Sequence, residues 1–142
     1  MAFSLDTSTD FGKRVAHHLA NDQVAWLTTV NGDGRPFPSL IWFLYEDDGT
    51  LLIYSQPNKT KLRNIASNAA VSINFNSDAY GGSMVVLSGT AVVDESTNPS
   101  AHYAAYLAKY TSGIESLGMT PESFAAEYSV PIRVILQNVR GF

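Results

Sequence analysis

The stretch Ile53-Tyr54-Ser55-Gln56-Pro57-Asn58-Lys59-Thr60-Lys61-Leu62-Arg63-Asn64 concentrates most of the groups in this sequence that could do chemistry. Its β-branched and aromatic start reads as the end of a strand, which Gln56-Pro57-Asn58 breaks. A short helix is predicted from about Lys59 to Ser67, with Leu62, Ile65 and Ala66 on its apolar face and Asn68 able to end it. The first N–H groups of a helix have no intrahelical partner, and the helix dipole makes that end electropositive. Ser55, Asn58 and Thr60 add neutral hydrogen-bonding groups, and Lys59 and Lys61 add full charges. These features converge on what a phosphate monoester requires. A bland reading also fits, in which Asn58 caps the helix and the lysines face water. No Gly-x-x-x-x-Gly-Lys pattern is present, so this is not a Walker loop.

The charge balance sharpens the point. The chain has 13 acidic and 9 basic residues and a net charge of −4, the wrong sign for a general polyanion binder. Three of the nine basic residues, Lys59, Lys61 and Arg63, fall within five positions. A basic cluster on an acidic chain points to a discrete anion site.

Pro36-Phe37-Pro38-Ser39-Leu40-Ile41-Trp42-Phe43-Leu44-Tyr45 is the second stretch of interest. Alternation puts Ser39, Ile41 and Phe43 on one face and Leu40, Trp42 and Leu44 on the other. Pro36 and Pro38 cannot both sit in a central ladder, so this strand begins at an edge or opens toward a ligand. Its aromatic residues could line a planar ring or serve as core. Tyr103, Tyr106 and Tyr110 share a helical face, which reads as packing or a subunit interface.

Other chemistries lack a motif. With no cysteine, disulfides, thiol nucleophiles and cysteine-ligated zinc are excluded. There is no Gly-x-Ser-x-Gly elbow and no His-Glu-x-x-His. His17 and His18 are adjacent on a predicted helix and read as surface residues, and nothing ties His102 to a serine and an acid. No residue is assigned as catalytic; Tyr45, Tyr54 and Tyr80 are candidate proton donors only in having an acidic O–H. The chemistry is expected to belong to an organic cofactor, with no metal.

These groups must be held by a predominantly β scaffold. A helix is predicted over Thr9–Ala20, capped by Ser8 or Thr9. Strands are predicted over Val24–Val30, Phe37–Tyr45 and Thr50–Ser55, joined by Asn31-Gly32-Asp33-Gly34 and Asp47-Asp48-Gly49 into an antiparallel meander. Val71–Phe75 and Met84–Asp94 follow, separated by a flexible loop at Asp78–Ser83, with Gly89 marking a bulge or bend. Helices are predicted over Ser100–Tyr110, after Pro99, and from Thr120-Pro121. Pro131–Arg140 is the last strand. Hairpins rather than βαβ units, in 142 residues with 45% hydrophobic content, predict one domain over 1–142: a small closed six- to seven-stranded antiparallel barrel decorated with short helices. No apolar run reaches the roughly 18 residues that cross a bilayer, and Met1–Asp6 lacks a signal-peptide pattern. A soluble cytoplasmic protein is expected.

On these residues the chain resembles the pyridoxamine 5′-phosphate oxidase-like superfamily of split β-barrel flavin and deazaflavin proteins, from Val24 to Phe142. It is most similar to the branch of F420-dependent oxidoreductases. The resemblance rests on Leu27-Thr28-Thr29-Val30-Asn31-Gly32-Asp33-Gly34, on Ser39-Leu40-Ile41-Trp42-Phe43 and on Ile53 through Ile65. It extends to the tail Tyr128-Ser129-Val130-Pro131-Ile132-Arg133 with Val139-Arg140-Gly141-Phe142. It implies that Tyr54-Ser55 and Lys59-Thr60-Lys61 hold a cofactor phosphate, Lys61 as the basic ligand and Ser55 as the hydroxyl ligand, and that the strand from Ser39 to Trp42 runs along the ring system. The cofactor-binding set expected is Pro38, Ser39, Trp42, Tyr54, Ser55, Gln56, Lys59, Thr60, Lys61 and Asn64. Flavin-binding oxidases of the superfamily place an Arg where this chain has Thr60 and another where it has Ser39. The Arg and His pair that binds pyridoxamine phosphate has no match either. These departures favour F420 over FMN. The resemblance implies a homodimeric F420H2-dependent reductase passing a hydride to an organic acceptor, with the site at the subunit interface. An FMN-dependent oxidoreductase and a non-catalytic binder of a cofactor or haem-like ligand are the alternatives.

Overall fold

A computed structural model describes residues 3–142. Helix α1 (Asp10–Asn21) begins where Thr9 Oγ1 accepts the Gly12 N–H at 2.9 Å and turns Val15 and Leu19 inward. Strands β1 (Ala25–Val30) and β2 (Pro36–Ile41) form a hairpin. Its turn is closed by Asn31 N–H to Arg35 O at 2.9 Å and by Gly34 at φ +80, a conformation open to glycine. Strands β3 (Leu44–Tyr45) and β4 (Thr50–Ser55) lead into α2 (Thr60–Ser67), followed by β5 (Ala70–Asn74) and β6 (Val85–Val93). A 3₁₀ turn at Ser100–His102, helices α3 (Ala104–Ser116) and α4 (Pro121–Glu127), and β7 (Val130–Gly141) complete the order.

All seven strands lie in one antiparallel sheet, ordered β2-β1-β5-β6-β7-β4-β3. The two edge strands, β2 and β3, are consecutive in the chain and are joined only by Trp42 and Phe43. The sheet must therefore curl until its edges nearly meet, which makes a barrel split along that seam. Leu27, Phe43, Leu51, Ile53, Ile73, Leu87, Ile132 and Val134 fill its interior together with Val15 and Leu19 of α1. A second cluster, Leu52, Tyr54, Tyr106, Tyr110, Ile114 and Phe124, lies between the outer face of the sheet and helices α3 and α4. Strand β4 is buried on both faces, which is why Leu51–Ser55 shows no polar alternation.

Four sequence expectations need correction. The meander breaks up, because β2 and β4 sit at opposite sides of the sheet. The strand expected over Phe37–Tyr45 divides at Trp42-Phe43, where the backbone leaves the ladder and finds other partners. Phe43 N–H donates to Tyr110 Oη at 2.8 Å, and Phe43 O accepts from Lys109 Nζ at 2.7 Å. The helix expected over Ser100–Tyr110 is interrupted at Tyr103, whose hydroxyl donates to Glu46 beside the Arg133–Glu46 ion pair; α3 then continues to Ser116. His18 is also more than a surface residue, since it stacks on Phe75 at 4.9 Å and pairs with Asp22 at 2.7 Å. The bulge at Gly89 is present: the β6–β7 register shifts there, and a Cβ would meet Ile135 O at 2.1 Å. Thr120 caps α4 through a capping box with Ser123.

The seam hangs on the Tyr110 hydroxyl, which accepts from Phe43 N–H and donates to Gln23 O at 2.7 Å. Tyr110→Phe strands a buried donor, and its urea unfolding free energy is expected to fall by about 1–3 kcal/mol. An unchanged midpoint would show that the seam holds without it.

Candidate functional site

Strand β4 ends at Ser55, and Asn58 at φ 63 redirects the chain into α2; asparagine tolerates this left-handed conformation better than most residues. Lys59 occupies the N-cap position, and no side chain caps the helix. The β3 ladder stops at the Leu44–Leu52 pair, so Ile53–Ser55 has a ladder partner, β7, on one side only. A cavity of about 270 Å³ opens beside this stretch.

The cavity lining is of two chemical kinds. Ser55, Gln56, Lys59 and Lys61 supply its polar and charged groups. Leu40, Ile41, Trp42, Ile53, Tyr54, Tyr106, Leu117, Phe124 and Tyr128 supply apolar and aromatic surface. The aromatic groups form a continuous stack: Trp42 lies on Tyr110 at 4.6 Å and on Phe124 at 5.5 Å, and Phe124 lies on Tyr128 at 4.5 Å. No carboxylate lines the cavity, and neither lysine takes part in an ion pair among the described residues. Burial holds the Lys61 ammonium below the ordinary lysine pKa, and neighbouring Lys59 lowers it further. Two like charges without a counter-ion, that of Lys61 partly desolvated, make a receptor for an anion.

Of the ten residues expected at a cofactor site, six line this cavity: Trp42, Tyr54, Ser55, Gln56, Lys59 and Lys61. The other four lie elsewhere. Thr60 Oγ1 accepts from Arg63 Nη2 at 3.0 Å, and Arg63 folds back over the loop toward Asn58 O, outside the cavity. Asn64 is buried and donates to Thr29 Oγ1 at 3.0 Å, which fastens α2 to the barrel interior. Ser39 faces Leu27 within the β1–β2 ladder, and Pro38 is exposed opposite Thr28. Ser55 Oγ donates to Gln56 O at 2.8 Å, leaving its lone pairs free, and Gln56 Nε2 donates to Glu127 at 2.7 Å. Sequence reasoning missed Leu117, Phe124 and Tyr128 and placed Tyr106 in packing or a subunit interface; the tyrosine spacing carried the only signal for it. In the Asp78–Ser83 loop, expected to be flexible, the Asp78 carboxylate accepts from Tyr80 and Gly82 N–H at 3.0 and 2.7 Å. The loop does not line the cavity. Among the described residues no three His, Cys, Asp or Glu side chains gather as a metal site would require, and no helix is long and apolar enough to cross a membrane.

Solved structures share this fold. An F420 reductase is 22% identical over 86% of this chain and 92% of its own, with a TM-score of 0.63. General stress protein 26 from Bacillus anthracis is 16% identical over 92% of each chain, with a TM-score of 0.68. HutZ, the haem storage protein from Vibrio cholerae, is 15% identical over 93% of this chain and 94% of its own, with a TM-score of 0.65. No curated protein matches the sequence. The sequence pattern of the pyridoxamine 5′-phosphate oxidase family, in contrast, runs through residues 11–138, and the split barrel with its basic loop between β4 and α2 is thus that of a member of this family.

Proposed function

We propose that the protein is an F420H2-dependent oxidoreductase that works as a homodimer and passes a hydride to an organic acceptor. The observation that carries this reading is a cavity whose lining combines two ammonium groups free of carboxylates with stacked aromatic rings. That combination suits a molecule with an anionic tail and a flat, largely apolar body. Lys59, Lys61 and the lone pairs of Ser55 would hold the phosphate. Gln56, Tyr54 and Trp42 would border the remainder. Thr60 and Asn64 would keep the loop and α2 in place, while Pro38 and Ser39 belong to the strand that runs along the ring. The bound deazaflavin would supply the hydride, and the protein would position it and exclude water.

A cavity of 270 Å³ is smaller than the usual range for ligand sites of that size, which supports completion by a second subunit. Leu40 and Phe37 on the edge strand are 53% and 41% exposed and would lie in the contact. Wild-type protein is expected to sediment as a dimer and Leu40→Glu as a monomer; monomeric wild type would remove this part of the reading.

Titration with F420 and FMN tests the cofactor. F420 should bind more tightly. Preference for FMN would move the protein to the flavin branch, and binding of neither would overturn the assignment. Lys61→Ala is expected to weaken F420 binding by about 1.5–3 kcal/mol, the range for a charge-assisted hydrogen bond.

The depressed Lys61 pKa gives a pH signature with two opposite signs. Binding needs the ammonium, so F420 affinity should fall as pH rises through the depressed value. Folding behaves inversely. Between the depressed folded pKa and 10.5 the unfolded chain holds more protons, so stability of the ligand-free protein rises with pH. Lys109, lowered to about 8 mainly by burial, acts in the same direction, so Lys61 is isolated by comparison with Lys61→Met. That variant should have a higher melting temperature at pH 7 and no alkaline loss of affinity. A lower melting temperature would contradict the desolvated charge.

A further inference from the structure

The second cluster holds three buried tyrosines, with Tyr103 and Tyr128 packed against it, and three of these five commit their hydroxyls to the protein. Tyr54 Oη donates to Asn98 O at 2.5 Å, Tyr103 Oη donates to Glu46, and Tyr110 Oη donates to Gln23 O at 2.7 Å. Tyr106 is different. It is 0% exposed, its hydroxyl has no hydrogen-bond partner, and it lines the cavity. The other buried hydroxyls without partners among the described residues, Ser83 and Ser100, do not line it.

A buried hydroxyl without a partner destabilises the free protein, and native structures contain few of them. Packing does not explain this one. The ring of Tyr106 makes an edge contact with Tyr54 at 4.8 Å and lies 6.3 Å from Phe124, and phenylalanine would fill the same space without the orphaned group. Burial pushes its pKa upward, so the group stays a neutral O–H able to donate.

We infer that the Tyr106 hydroxyl is a ligand-recognition group, donating a hydrogen bond to a carbonyl oxygen or ring nitrogen on the flat body of the molecule whose phosphate sits at Lys59 and Lys61. This rests on the functional reading given above. It assigns the aromatic part of the cavity lining a polar preference that the surrounding apolar walls lack. In the free protein the hydroxyl is closed to water; a ligand reaches it by displacing a lining side chain, and Leu40 and Leu117, 53% and 52% exposed, are the large apolar ones least enclosed. A purely hydrocarbon body would leave the hydroxyl unpaired, so the site would favour ligands with a polar edge over apolar ones of the same shape.

Full-length wild type, Tyr106→Phe and Lys61→Ala are titrated with F420 and with the deazaflavin riboside that lacks its phosphate, and likewise with FMN and riboflavin. The melting temperature of each ligand-free protein is measured alongside. Tyr106→Phe should weaken a phosphate-bearing ligand and its phosphate-free counterpart by the same factor, about five- to tenfold, with a melting temperature equal to or above that of wild type. Lys61→Ala should weaken only the phosphate-bearing member of each pair. Affinities within twofold of wild type in Tyr106→Phe, while Lys61→Ala loses the phosphate ligands, overturn this inference and leave the cofactor reading standing. A clear drop in melting temperature for Tyr106→Phe overturns it too, since the hydroxyl would then have a partner within the protein. Wild type that binds none of the four overturns both.

Discussion

Trp42 and Phe43 join the two edge strands of a seven-stranded sheet, and most of the molecule follows from that short link. An antiparallel sheet whose edges are only two residues apart in the chain cannot stay open. It also cannot close by hydrogen bonding, because β3 contributes only Leu44 and Tyr45 before the chain turns away. Beyond that point β4 runs on to Ser55 with one side free, and the opening on that side is where the cavity forms. The backbone groups that leave the ladder at Phe43 need other partners, and Tyr110 and Lys109 of α3 provide them. Helix α3 is therefore fixed across the seam, and its neighbouring tyrosine, Tyr106, is carried to the cavity wall. The site is a consequence of how the barrel fails to close.

The loop between β4 and α2 shows the same economy. Arg63 and Asn64 are the residues of the basic segment that make firm intramolecular bonds, one to the loop and one to the barrel interior. They hold the helix start while Lys59 and Lys61 remain without counter-ions. A cluster that counts as three cations in the sequence is, in space, two cations at a cavity and one tether outside it. The distinction is energetic as well as geometric: Lys61 loses hydration without gaining a partner, whereas Arg63 forms hydrogen bonds at the exposed surface.

Much of the architecture was legible in the residues. Asn31-Gly32-Asp33-Gly34 dictated a hairpin, Thr120-Pro121 a helix start and Gly89 a bulge, because each depends on local backbone chemistry. The polar part of the site was legible for the same reason: its groups are contiguous in the chain. What escaped was everything set by non-local pairing. Periodicity cannot show that β2 and β4 end at opposite sides of the sheet, nor that Phe37–Tyr45 must break, because the reason lies 67 residues away in Tyr110. The aromatic part was hidden likewise. Phe124 and Tyr128 belong to segments that reach β4 only through the fold, and Tyr106 and Tyr110 look identical in sequence. Helical spacing predicts that both are buried, which they are, but not that one hydroxyl is saturated and the other orphaned.

Those two unsatisfied features, the counter-ion-free Lys61 and the unpartnered Tyr106, line one cavity. Either alone is an ordinary imperfection, the kind that folded domains contain in small numbers. Their shared cavity is harder to assign to chance, because each disfavours the empty protein and each would be relieved by a complementary group: an anion for Lys61 and a hydrogen-bond acceptor for Tyr106. A ligand carrying both would offset the two penalties together and be favoured over molecules that offer only one. Folding alone would have been better served by methionine and phenylalanine at these positions. The sequence instead carries stability losses at points where binding of the proposed ligand would recover them, and that coincidence would relate the barrel's incomplete closure to recognition.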